Sequence, residues 1–362
     1  MKHSSIQTFA LIGMSIAVCL LASSPLPANA QDVWKVDEKL LGKAKDGGFK
    51  KSEDASGIAC DRSSGFPRLC LVADDETQGA QIVILKDEKL VAGDFIKLTN
   101  AQHDGKPLEL DAEGVAFDGG SFYVVGSHGR ARHVDDPNEE AKNNAKAQAT
   151  RQIFRITLDA SSVDMKNGKL VSQPVIKRST DLIGILQSQP DLSSSFNREL
   201  AENGLTIEGV AVREGRMYIG MRGPVLGTEA AVLSVPLSAV FEDQQASSKL
   251  HRLALEKDTL GKPRGVRDII RYANGFLVLA GPLNDPPDNR EIQPSDYTIY
   301  EWDGAAVLEP VRHVPAFGKK VKPEALLPLD GDGQQGRILI LFDGPEEGAP
   351  RPFEVRLKKI AP

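Results

Sequence analysis

Along the chain, apolar residues gather into short runs separated by turns rich in Gly, Asn and Asp. Two such runs joined by a tight Gly-containing turn predict a β-hairpin. The clearest pair spans Ile207 to Pro224: Ile-Glu-Gly-Val-Ala-Val, an Arg-Glu-Gly-Arg turn, then Met-Tyr-Ile-Gly-Met-Arg-Gly-Pro. Related hairpins begin near Ala55, Ala112, Val266 and Pro323. Ser56, Glu113, Glu208, Arg267 and Glu324 then hold equivalent positions, at intervals of 57, 95, 59 and 57 residues. A regular period with four strands per unit predicts a β-propeller. A sandwich also needs many short strands, but it gives no reason to repeat equivalent strand starts, two of them reading Glu-Gly-Val-Ala, at near-constant spacing.

The long second interval exceeds a period of about 58 by roughly 37 residues. The excess falls on 130–150, a charged surface excursion with some helix, and on 177–206. There Leu182, Ile185, Leu186, Leu192 and Phe196 predict one or two short helices over an end of the domain. The last unit shows three strands before Pro362, and the strand near Trp34 is expected to supply its fourth, closing the ring. The expected fold is therefore all-β: a single propeller domain over 31–362 with five blades, or six if the insert hides a degenerate one, and a helical insert in the second blade.

The first thirty residues read as a signal peptide: Lys2, an apolar run from Phe9 to Ala22 that is short for a membrane span, and an Ala28-Asn29-Ala30 cleavage site. Cys19 follows Val18, which argues against lipoprotein processing. A periplasmic or secreted protein is expected, without membrane insertion once the signal is removed. Two cysteines remain, Cys60 and Cys70, flanking a turn with Gly65 and Pro67, and in an oxidising compartment they predict a disulfide. A net charge of -6 and 6% aromatic residues argue against nucleic acid as a partner.

In a propeller the first strand of each blade lines the central channel, so Ser56, Glu113, Glu208, Arg267 and Glu324 converge, with Asp268 beside them. Carboxylates brought close either hold protons or call in a cation. Glu113, Glu208 and Glu324 are candidate ligands for calcium or magnesium, with Arg267 as an internal counter-charge. The alternative is that each Glu accepts backbone N–H groups and simply holds the ring together. The second strands end in a further polar set: Asp74-Asp75-Glu76, Ser127-His128, Arg222, Asn284-Asp285 and Asp343. Of these, His128 is the candidate general base, set against the reading of a surface loop residue. His133 follows without a zinc-protease Glu, which excludes that zinc site. Gly331-Asp332-Gly333-Gln334-Gln335-Gly336 matches a dinucleotide fingerprint in letters but joins two strands, and Asp330 to Gly333 reads as a solvated turn before it reads as a calcium loop. A Gly-x-Ser-x-Gly elbow is absent from the sequence.

Asn203-Gly204-Leu205-Thr206-Ile207-Glu208-Gly209-Val210-Ala211, Met221-Arg222-Gly223-Pro224, Gly265-Val266-Arg267-Asp268, Leu279-Ala280-Gly281-Pro282 and Lys322-Pro323-Glu324-Ala325 together resemble the bacterial family known as domain of unknown function 3616, DUF3616. Ala325 departs from the pattern, where Gly is the usual neighbour of the Glu. The resemblance implies a propeller without an established activity. In architecture the Glu-Gly strand starts also look like those of phytase-like esterase and lactonase propellers, some of which hold calcium on the ring axis. Two functions follow as expectations. One is a binding module for a small molecule or a cell-envelope partner. The other is a metal-assisted hydrolase of an ester, lactone or phosphate, with Arg222 and Arg267 steadying negative charge and His128 handling a proton.

Overall fold

The structure is a computed structural model and describes residues 1, 33–45, 47–130, 139–285, 290–331 and 334–359. The predicted signal peptide, His133 and Asp332-Gly333 lie outside the described residues. The fold below belongs to the compact unit Gln31–Pro362.

Five antiparallel sheets follow one another as blades. Their inner strands are Ala55–Cys60, Ala112–Asp118, Thr206–Arg213, Arg264–Tyr272 and Lys322–Gly331. The second, third and fourth blades have four strands each, and the fifth has three, ending at Arg351–Arg356. Strands in the middle of a blade are apolar on both faces because each face meets a neighbouring blade. In the fifth blade, Leu339 and Leu341 face the first blade while Ile338, Ile340 and Phe342 face the fourth. The described core accordingly resolves into five clusters, one in each seam between neighbouring blades.

The ring closes differently from the sequence expectation. The strand Lys35–Asp37 pairs in parallel with Lys89–Val91 on the outer edge of the first blade and does not become a fourth strand of the fifth. Trp34 is nonetheless buried in the seam between the fifth and first blades, and its backbone N–H donates to Pro350 O at 2.8 Å. Two more bonds staple that seam: Gly344 N to Glu53 O at 2.8 Å and Glu347 N to Ser52 O at 2.6 Å. The seam is thus closed by backbone bonds and a buried indole.

Cys60 and Cys70 lie opposite each other on the first two strands of the first blade and form a disulfide. The insert is helical, with helices Glu140–Thr150, Leu182–Ser188 and Pro190–Ser193. Leu182, Leu186, Leu192 and Phe196 bury themselves in the seam between the second and third blades.

Candidate functional site

Every inner strand carries a β-bulge near its start, and in each the residue skipped by the pairing register is the one that the repeat aligns. These residues are Ser56, Glu113, Glu208, Arg267 and Glu324. A bulge leaves one residue outside the ladder and re-aims its side chain. All five line one cavity of about 570 Å³ at the channel mouth.

The Gly that follows has a separate task. A Cβ on Gly114 would lie 2.9 Å from Val210 N, and one on Gly209 would lie 2.7 Å from Ile269 N. Neighbouring inner strands therefore touch backbone to backbone just behind the ring, and only Gly fits. The fourth blade has Asp268 at this position, with a different solution. Its carboxylate accepts from Ile269 N and from Leu326 N of the fifth blade, both at 2.7 Å. Asp268, expected beside the channel ring, thus pins two blades together and is not part of the cavity wall. Burial raises its carboxyl well above the ordinary value.

The mouth has two electrostatic sides. On the side of the third to fifth blades, Arg267 Nε donates to Glu324 Oε2 at 3.0 Å, and its Nη2 pairs with Glu208 Oε2 at 3.4 Å. Arg222 reaches Glu208 at 3.3 Å and Asp285 at 2.7 Å. Lys322 pairs with Asp343 and lies 3.8 Å from Asp285. The neighbouring cations hold Asp285 well below the ordinary carboxylate value despite its partial burial. Burial outweighs Arg267 at Glu324 and lifts it to about 7.

On the side of the first and second blades, carboxylate oxygens of Asp75, Asp111 and Glu113 lie within 4.8 Å of one another. Burial first, and the neighbouring carboxylates second, push Asp75 and Glu113 well above their ordinary values. Asp54, beside them, rises to about 6, chiefly by burial and then by Asp343. Among the described residues no Lys, Arg or His forms an ion pair with Asp75 or Glu113.

Two sequence-based assignments change. The expected metal set of Glu113, Glu208 and Glu324 is divided, because Arg222 and Arg267 take Glu208 and Glu324. The acidic set that the fold assembles is Asp75, Asp111 and Glu113. His128, the expected base, is fully buried behind the wall, and its Nδ1 is bonded to Gly126 O at 2.8 Å. Burial drops it to about 4, and its chain neighbours Ser127 and Gly129 line the cavity in its place. Arg222 and Arg267 do meet in the mouth, as expected.

Asp111 and Lys322 were not read as site residues from sequence. A usable signal existed: both stand two positions before a ring residue, as do Asp54 and Thr206, and strand side chains repeat their face every second residue. All four line the cavity. Asp330, read as a solvated turn, is held by Arg337, with Nε donating to Oδ2 at 2.8 Å.

No curated protein matches the chain. Among solved structures it is similar to a GH43 β-1,3-galactosidase, BT3683 with galactodeoxynojirimycin, at 8% identity and a TM-score of 0.42, over 88% of this chain and 94% of that one. It is also similar to the Bacillus subtilis arabinanase Arb43A, at 7% identity and a TM-score of 0.36, over 85% and 95% of the two chains. The Trypanosoma rangeli sialidase gives 11% identity and 0.43, over 90% of this chain and 58% of that one. None of these likenesses bears on what the mouth binds. Residues 49–352 match the model of a family described as a protein of unknown function, DUF3616. The chain, from its first bulged inner strand to the last strand of its fifth blade, therefore belongs to the DUF3616 family.

Proposed function

We propose that the protein is a binding module whose channel mouth takes a small polar molecule through an oxyanion, a carboxylate or a phosphate. The observation that carries this reading is Arg267: it lines the cavity, and its Nη1 is buried without an acceptor. A buried guanidinium donor left unpaired costs about 1–3 kcal/mol, which a ligand oxygen would recover. Arg222 and Lys322 stand on the same wall to share the negative charge. Thermal melting against inorganic phosphate, acetate and glucuronate, with chloride at matched ionic strength as control, tests it. A saturable rise is expected for at least one, weakened about tenfold by Lys322→Gln. If none of the three differs from chloride, this reading fails. The Cys60–Cys70 disulfide supports placing the protein outside the cytosol, in the periplasm or the medium.

A hydrolytic reading rests on one further observation. Glu324, in the mouth and lifted to about 7, is poised to give a proton near neutrality, as a general acid must. Turnover of chromogenic esters, lactones or phosphate esters that Glu324→Gln abolishes would favour it, and no turnover with calcium or magnesium present would remove it.

A further inference from the structure

We propose that the acidic wall of the mouth is a binding site for a hard divalent cation of calcium size, held by Asp75, Asp111 and Glu113. The three come from two blades: Asp75 follows the second strand of the first, while Asp111 immediately precedes the inner strand of the second and Glu113 is its second residue. Two backbone devices aim them at one point. Glu113 is the bulge residue of its strand, and Asp111 sits at φ 54, a left-handed conformation that Asp tolerates better than most residues. The Ser127 hydroxyl donates to Asp111 Oδ2 and orients that carboxylate, the kind of outer partner that metal ligands have.

The independent sign is Asp75. Its Oδ1 is shut off from solvent and accepts no hydrogen bond, at a position where a carboxylate oxygen needs a positive partner. A calcium ion with oxygen ligands at 2.3–2.6 Å spans oxygens up to about 5 Å apart, so a set lying within 4.8 Å fits around one ion. An all-carboxylate donor set selects hard cations over soft ones. Such a set leaves coordination positions open toward the cavity for water or for a ligand oxygen. The ion would also resolve a conflict in the mouth: a wall of carboxylates repels the oxyanion that the opposite wall attracts.

The cation site and the ligand reading can fail separately. Terbium luminescence and thermal melting of the chelator-treated mature protein, titrated with calcium, magnesium and manganese, measure the first. Calcium is expected to raise the melting temperature saturably and to displace terbium. Asp75→Asn and Glu113→Gln should each weaken it about tenfold or more. Asp285→Asn, on the opposite wall, should leave the midpoint within about twofold. Both cluster variants are near-isosteric and relieve repulsion, so they are expected to fold, and their melting without metal verifies this. No saturable response to any of the three ions overturns the site, as does an equal loss in Asp285→Asn. Oxyanion binding measured in chelator reports on the ligand reading alone.

Discussion

The two walls of the channel mouth are built by the same backbone device and carry opposite electrostatic outcomes. On the wall of the third to fifth blades, Glu208, Glu324, Asp285 and Asp343 each meet Arg222, Arg267 or Lys322. On the wall of the first and second blades, Asp75 and Glu113 are half-buried and meet no described cation. Burial does not separate the walls. Residue identity at repeated positions does: Arg267 stands where the first blade has Ser56, and Lys322 stands where the first two blades have Asp54 and Asp111. A repeat that conserves its bulge can therefore make a structural ion network in one sector and a site short of positive charge in the next.

The sharpest way to break this contrast is to remove the central cation. Arg267→Met strands Glu208 and Glu324 in the channel, and urea unfolding should show a loss of about 3–5 kcal/mol. A loss below about 1 kcal/mol would mean that the network holds nothing together. Adding Glu324→Gln to that variant should recover part of the loss, since one of the two carboxyls left without the Arg267 guanidinium is gone.

The opposite sign is expected across the mouth. In chelator at about pH 8, Glu113→Gln removes one of three crowded carboxylates, so stability should rise by on the order of 1 kcal/mol, or about 2 °C in melting temperature. Destabilisation there would show that the acidic wall already has its counter-charge. The smallest effect concerns Asp285, which is partly exposed. Its carboxyl is held below the ordinary value of 3.8, so its contribution is present above that value and lost as pH falls below it. Asp285→Asn should therefore destabilise at neutral pH by less than Arg267→Met, with the difference from wild type fading below about pH 4. A difference that persists in acid would assign its role to packing and not to charge.

Much of this was legible in the residues. The Glu-Gly starts at Glu113 and Glu208 located two of the five inner strands, and Ser56, Arg267 and Glu324 completed the set through spacing. The disulfide followed from two cysteines and a turn. The strand near Trp34 was found but misplaced: its pairing partner is chosen by where the indole buries, and a single short strand has no pattern that names its neighbour. His128 failed as a base for a related reason. Its position after a strand end was readable, but that the ring turned into the wall, where its Nδ1 bonds Gly126 O, showed only in the fold.

The sequence by itself determined the repeat, and with it the propeller and the ring of aligned residues, because these rest on local periods that each blade states again; the count of five blades and the bulge at each ring residue came from the fold. Only the tertiary structure decided which carboxylates share a cation. That depends on side chains from different blades, far apart in the chain, reaching the same few ångströms of channel. Glu208 meets Arg267 and Arg222, while Glu113 meets Asp75 and Asp111. No period along the chain encodes that difference.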